Sequence, residues 1–333
     1  MVTDLEDLVG RQLVVGLPGP VLSPDAAEHL RAIRAGGFIP FERNYASPEQ
    51  FRALLAQIRE ALGRGVLVMV DQEGGRVARF ANGVTHFPDP LTVGRTQQPD
   101  DVERQGAVEA RELQSLGVHV NLAPCVDVLV EGSDPVIGTR SYGGDPARVA
   151  AMGAARIRGL QGGGVAACAK HFPGLGAVPK DPHTQLPTLR LSSRAMRQVH
   201  LAPFIEAIRA GVAAIMSSHV CYPQFERASA EPATFSSWLI RDLLRGELRF
   251  QGVAVSDDLE MGALRELCPI GEAAVRAVEA GHDVLLICSD LAAQREVVEH
   301  LRQAYQTGRL STVALEQSLA RLERLQRHEV SGP

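Results

Sequence analysis

Long runs of a single chemistry are missing from this sequence. Lys and Arg never accumulate into a stretch, and 34 basic against 39 acidic residues leave a formal charge of −5. Nothing therefore advertises a nucleic-acid groove or an anionic membrane surface. No uninterrupted apolar run approaches the roughly 18 residues of a membrane-spanning helix. The N-terminus, MVTDLEDLVG, carries three acids before residue 8 and has neither a basic n-region nor an apolar stretch, so no secretory leader is expected. The cysteines, Cys125, Cys168, Cys221, Cys268 and Cys288, are odd in number, scattered and without a C-x-x-C pair; they read as reduced thiols. These absences point to a cytoplasmic protein with no membrane or nucleic-acid partner, expected to act as a monomer.

Motifs that would announce a cofactor are equally absent. There is no H-E-x-x-H, no H-x-H after the first strand of the kind a barrel metallohydrolase needs, and no phosphate-binding loop. No metal and no cofactor is expected. No internal repeat or domain linker is visible either.

What is present is a regular alternation. Continuously apolar runs fall at 13–17, 37–41, 66–70, 118–122, 165–169, 212–216, 252–255 and 283–288, the pattern of parallel strands buried on both faces. Helical periods lie between them. Ser47-Pro48-Glu49 reads as an N-cap, a Pro at the first position and an acidic first turn, followed by Phe51, Leu54, Leu55 and Ile58 on one face. Asp145-Pro146 opens another helix, Leu201, Phe204, Ile205 and Ile208 mark a third, and Ser236 leads into Leu239, Ile240, Leu243 and Leu244. Val313, Leu315, Leu319, Leu322 and Leu325 mark a final helix at about 312–328. Eight βα units over about 290 residues predict a single-domain (β/α)8 TIM barrel of the α/β class, spanning 1–333 with a C-terminal helix. The runner-up, a Rossmann-like sheet, lacks a G-x-G-x-x-G after the first strand.

Catalytic groups in such a barrel come from the carboxyl ends of the strands. Five apolar runs end there in polar residues: Asp71-Gln72-Glu73-Gly74-Gly75-Arg76; Asn121 with Asp127 beyond it; Lys170-His171; Ser217-Ser218-His219; and Ser256-Asp257-Asp258. Buried unpaired, such groups would cost several kcal/mol, about 7 at the upper end, so they need partners or a task. Hydrogen bonding at the barrel rim is the bland alternative for any one of them. Residues 173–187, PGLGAVPKDPHTQLP, hold four Pro and two Gly, which disfavours helix and strand. Within them Asp181-Pro182-His183 puts a carboxylate two residues from an imidazole, able to orient the ring and stabilise its charged form. A solvated loop with an incidental His is the alternative.

Taken together, GFIPFERN (37–44), VDQEGGRVARF (70–80), NLAPCVDV (121–128), IGTRSYGGDP (137–146), AKHFPGLG (169–176), DPH (181–183) and GVAVSDDLEMGA (252–263) resemble the β-N-acetylhexosaminidases of glycoside hydrolase family 3, the NagZ-type enzymes of cytoplasmic peptidoglycan recycling. The resemblance runs over roughly residues 10–305. It implies a retaining hydrolase that releases terminal β-linked N-acetylglucosamine through a covalent glycosyl-enzyme, from a saccharide or muropeptide such as GlcNAc-1,6-anhydro-MurNAc. It implies Asp257 as nucleophile, a role a weakly basic, ionised carboxylate suits. It also implies His183 as general acid and base, oriented by Asp181; an imidazole with a pKa of about 6.5 can give and take a proton near neutrality. Asp71, Arg79, Arg140, Lys170 and His171 are implied as sugar contacts. Glu73, Arg76 and Asp258 are read as structural. Two positions depart from the family pattern: Pro182 stands where relatives carry Ser, and Leu175 where many carry His. Alternatives within the family are a β-N-acetylglucosaminide phosphorylase, a β-glucosidase, and attack by the substrate's own acetamide instead of Asp257. Outside it stand a Schiff-base aldolase using Lys170 and a sugar-binding protein without catalysis.

Overall fold

The computed structural model describes residues 5–133, 136–178, 186–225, 227 and 230–327. Ten strands occur there: β1 (Leu13–Val15), β2 (Gly37–Phe38), β3 (Leu67–Val70), β4 (Gln72–Gly74), β5 (Val77–Ala78), β6 (Val120–Asn121), β7 (Ala166–Phe172), β8 (Ala214–Ser217), β9 (Val253–Asp258) and β10 (Val284–Ile287). Eight of them close into a barrel in the order β1-β10-β9-β8-β7-β6-β3-β2, and every pair in it is parallel. Both the class and the closure expected from the sequence are present; the open Rossmann-like sheet is not. The continuous apolar runs follow from this architecture, since each strand is packed inside by its neighbours' side chains and outside by helices.

The helices begin where local chemistry starts them. Ser47 caps Pro48–Leu62 by accepting from the Gln50 N–H, and Asp145 caps Pro146–Gly162 by accepting from the Ala147 N–H; both place Pro at the first helical position, where its missing donor is harmless. The last helix, Thr312–Gln326, is capped by Ser311 and buries Leu315, Leu319, Leu322 and Leu325. Val313, grouped with these by its apolar character, is instead 62% exposed. One residue into the helix, it lies off the buried face. Among the described residues no helix is long and apolar enough to cross a membrane.

Each barrel strand differs somewhat in its bounds from the sequence expectation, most are shorter, and two of the differences position the site. β2 stops at Phe38 instead of running to residue 41. β7 extends through Lys170 and His171 to Phe172, with its register against β8 shifting between Lys170 and Phe172. β9 likewise carries Asp257 and Asp258 as its last two residues. Polar side chains at these strand ends hid the continuation, because propensity reads Lys, His and Asp as strand breakers while backbone pairing tolerates them where their side chains find partners.

Candidate active site

The site grows from β3. A tight antiparallel hairpin, β4–β5, follows Asp71, and its turn needs glycine: Gly74 has φ +101° and Gly75 φ +55°, and a Cβ on Gly75 would lie 2.4 Å from the Asp89 Cβ. Inside the hairpin the Gln72 side chain accepts from the Arg79 and Phe80 backbone N–H groups at 2.8 and 3.3 Å. Asn121, at the end of β6, pins the Gln72 backbone from the other side, receiving its N–H at 3.1 Å and donating to its carbonyl at 2.9 Å. Asn121 in turn donates to Glu109, which pairs with Arg156 at 2.6 Å. The backbone that carries Asp71, Glu73 and Arg79 is thus fixed by amide–amide bonds before any ligand arrives.

Glu73 is the hub of the charged cluster. It receives a two-pronged Arg140 guanidinium at 2.7 and 2.8 Å and the Lys170 ammonium at 2.7 Å. Lys170 also reaches Asp71 at 2.5 Å and is only 2% exposed. Burial alone would push the Glu73 carboxyl up, but Lys170 and Arg140 outweigh it and hold the group well below the usual carboxylate range. Burial likewise works against the Lys170 charge, and Asp71 and Glu73 reverse that, raising its pKa above the ordinary lysine value. A Schiff-base lysine must give up its proton. Lys170 is held as an ammonium between two carboxylates, so the aldolase alternative is abandoned. Arg79 stands 3.9 Å from Asp71 and 3.7 Å from Glu42, with its guanidinium 5.4 Å over the Phe41 ring and its Nε buried without a partner. Arg76, by contrast, reaches the Val136 carbonyl at 2.7 Å, a structural contact.

Beside this cluster lies a second one. The chain after β6 continues alongside β7, with the Val126 N–H donating to the Lys170 carbonyl at 2.8 Å, and this delivers Asp127 under His171. Fully buried, Asp127 accepts from the His171 ring at 2.7 Å, the His171 N–H at 3.2 Å, the Leu175 N–H at 2.8 Å and the Cys125 thiol at 3.3 Å. Burial would raise its pKa; His171, the Leu175 N–H and the Cys125 thiol together lower it. Cys125, Asp127 and His171 offer ligand atoms within 4.8 Å of one another, the one such trio among the described residues. Those atoms are already bonded to each other, and burial with the Asp127 charge drives the thiol well above its ordinary range. A metal would have to displace a complete hydrogen-bond set. On the far side of the ring the Arg140 Nη2 lies 3.3 Å from His171 Nε2.

Asp257 completes the mouth at the carboxyl end of β9. Half-buried, its Oδ1 accepts the Asp258 N–H at 2.8 Å, and no side chain among the described residues donates to it. Burial favours its neutral form, but the neighbouring His171 and His219 rings, the Asp258 N–H and the Lys170 ammonium keep its pKa below the ordinary carboxylate value. Its neighbour behaves oppositely: burial pushes Asp258 up to about 6, and its carboxylate accepts from the Glu260 and Cys288 N–H groups. His219 secures the backbone just after them. Its Nε2 donates to the Asp258 carbonyl at 2.9 Å and its Nδ1 meets the Thr234 hydroxyl at 2.6 Å, while burial lowers its pKa. A neutral Nε2–H ring suits the Asp258 carbonyl, and the single proton of the Thr234 hydroxyl is then contested between His219 Nδ1 and the Ser218 carbonyl at 3.0 Å.

Six of the residues singled out in the sequence, Asp71, Arg79, Arg140, Lys170, His171 and Asp257, thus stand at one mouth of the barrel. Asp181, Pro182 and His183 lie outside the described residues. Their loop is anchored on its far side, where the Cys221 N–H donates to the Pro187 carbonyl and the Leu189 N–H to the Cys221 carbonyl, each at 2.8 Å. Leu175, the departure from PGHG, contributes its backbone N–H to Asp127 and packs its side chain against the core. Sequence reasoning gave too little weight to Glu73, Asp127 and His219. Each sits at a strand end or past one, a signal that was available, but the partners that give them meaning, Lys170 and Arg140, His171, and Asp258, are 39 to 97 positions away in the chain.

A closed parallel barrel with its ionisable groups gathered at the carboxyl-end mouth is here a glycoside hydrolase. Residues 7–325 match the glycosyl hydrolase family 3 N-terminal domain, and the chain belongs to that family. It is 37% identical over 295 residues to a beta-hexosaminidase of Alkalilimnicola ehrlichii, covering 87% of this chain and 84% of the relative. Among solved structures it superposes on a family 3 beta-N-acetylglucosaminidase from Paenibacillus sp. str. FPU-7 with a TM-score of 0.94 and 39% identity, covering 100% of this chain but spanning 64% of that longer one. It also superposes on NagZ from Neisseria gonorrhoeae in complex with N-trifluoroacetyl-D-glucosamine, with a TM-score of 0.78 and 30% identity over 95% of this chain and 97% of that one.

Proposed function

We propose that this chain is a retaining, exo-acting β-N-acetylglucosaminidase that removes non-reducing terminal β-linked GlcNAc, its natural substrate being a peptidoglycan fragment of the GlcNAc-1,6-anhydro-MurNAc kind. In this reading it works as a cytoplasmic monomer without a metal or cofactor. The observation that carries the proposal is Asp257: an ionised carboxylate with no side-chain hydrogen bond among the described residues, at the barrel mouth, within the electrostatic reach of Lys170, His171 and His219. Relatives named for hexosaminidase activity, and a similar structure holding an N-acylated glucosamine, give the sugar its identity.

An Asp257 oxygen attacks C1 of the sugar as the C1–O bond to the aglycone breaks, and His183 gives its proton to the leaving oxygen. Water then attacks C1 of the glycosyl-aspartate, His183 takes the water's proton, and the Asp257 carboxylate is released. Asp181 orients the imidazole. Asp71 accepts from a sugar hydroxyl while Lys170, Arg79, Arg140 and His171 line the same pocket. Because an imidazole both supplies and recovers that proton, no second carboxyl group need stand beside the reacting centre.

The test is an assay with aryl β-GlcNAc and aryl β-glucoside, each with and without phosphate. Hydrolysis confined to the GlcNAc glycoside and indifferent to phosphate is expected. Preference for the glucoside, or phosphate-dependent release of GlcNAc-1-phosphate, would replace the proposal with one of its family alternatives. A fluorosugar that labels the peptide 252–263 identifies the nucleophile; a label elsewhere, or none, removes Asp257 from that role.

A further inference from the structure

We propose that Asp127 is a positioning residue: it fixes His171 as the Nδ1-protonated tautomer and ties that ring to the stem of the 173–187 loop. The inference rests on the reading of His171 and Arg140 as sugar contacts only for its kinetic consequences; the tautomer follows from geometry alone.

Arg140 settles one side of the ring. A guanidinium has donors and no acceptor, and Glu73 already holds this one by two bonds. The Arg140 Nη2 that lies 3.3 Å from His171 Nε2 can only donate there, so Nε2 must present its lone pair. A proton on Nε2 would set donor against donor. The single proton of the neutral ring therefore sits on Nδ1, where the Asp127 carboxylate waits at 2.7 Å. Arg140 and Asp127 select the same tautomer from opposite faces.

The second half concerns the loop. The other Asp127 oxygen accepts the Leu175 N–H at 2.8 Å, two residues into the segment that carries Asp181 and His183. The stem is also closely seated: a Cβ on Gly176 would lie 2.1 Å from the Val128 carbonyl oxygen, and the Val130 N–H donates to the Gly176 carbonyl at 3.0 Å. One carboxylate thus spans the ring at the end of β7 and the entry of the loop. Any shift of the ring is felt by the stem through a single rigid group.

Asp127→Asn separates the two functions, since an amide offers one acceptor oxygen where the carboxylate has two. With its oxygen toward Leu175, its NH2 faces Nδ1 and drives the His171 proton to Nε2, against Arg140. With its oxygen toward His171, the Leu175 N–H loses its acceptor. Nitrogen-15 spectra of histidine-labelled protein, with the His171 signal identified by its loss in His171→Gln, should show a neutral Nδ1–H ring in the native enzyme near pH 7.5. An Nε2–H ring or an imidazolium there overturns the proposal, whatever the variants do and whatever the substrate is. In Asp127→Asn, either the tautomer should switch or the Leu175 amide should exchange faster; neither change overturns it. With aryl β-GlcNAc, Asp127→Asn should lower kcat/KM by about 10- to 100-fold, the range seen when the partner orienting a functional histidine is removed. In a His171→Gln background the same substitution should cost under about twofold, because it acts through that ring. Losses that simply multiply count against it. Native enzyme inactive on the glycoside would refute the proposed function and leave the spectroscopic test standing.

Discussion

Two aspartates, one fully buried and one half-buried, stand at opposite ends of the same barrel. Asp283, just before β10 at the amino end, is 0% exposed; it accepts from Ser318 at 2.6 Å, twice from Arg321 at 2.8 and 3.1 Å, from Arg245 at 2.5 Å and from the Ala254 N–H at 2.9 Å. Asp257, at the carboxyl end of β9, accepts one backbone N–H. The first carboxylate has spent its acceptor capacity on protein and ties the final helix to the barrel floor. The second, among the described residues, accepts nothing further. Low exposure with full hydrogen bonding is what a strut requires, whereas an ionised carboxylate short of partners in a charged mouth is what the nucleophile proposed above requires.

Substitutions should split the two cleanly. The largest effect is on activity: Asp257→Asn should cut turnover on aryl β-GlcNAc on the order of 10⁴-fold, the scale of losing one member of a catalytic set, while the denaturant midpoint stays the same or rises. Intact turnover would erase the distinction. Asp283→Ala should do the reverse. It strands Arg245 and Arg321 near the barrel floor and should cost about 3 kcal/mol of stability, read as a fall in the urea midpoint, with kcat/KM of the folded fraction unchanged. Smaller again is the contribution of Asp258. Its pKa of about 6 lies above its unfolded value, so the native state binds the proton more tightly, and the resulting stability is complete below about pH 4 and lost as pH rises through 6. Native enzyme should lose stability between pH 4 and 7 relative to Asp258→Asn; parallel curves would show that Asp258 is not so buried. The smallest effect belongs to the outer surface, where Arg309 pairs with Glu272 and Glu279 at 2.7 and 2.8 Å. Arg309→Ala should change stability by under about 1 kcal/mol, a baseline against which the Asp283 loss is measured in the same urea titration.

Much of the site was legible before any coordinates. Polar endings on apolar runs pointed to Asp71, Lys170, His171 and Asp257, because a barrel leaves its carboxyl-end residues facing a shared mouth. Family resemblance added Arg79 and Arg140, whose segments carry no such periodic signal. What escaped was the pairing. The structural role expected of Glu73 takes a form the sequence does not show, a bond to each of the two cations Lys170 and Arg140. Asp127 was noticed only as lying past a strand, and His219 as one ending among five. Neither acquires a meaning until the fold brings it to His171 or Asp258, 44 or 39 positions further along the chain.

The sequence alone determined the alternation of strand and helix, since continuous apolar runs and capped amphipathic segments are local and additive signals. It also determined which residue types stand at each strand end. Tertiary structure alone decided which of those ends are satisfied and which are not. Hydrogen-bond saturation and the direction of each pKa depend on atoms a few ångströms away in space and dozens of residues away in chain, and only closure of the barrel brings them together.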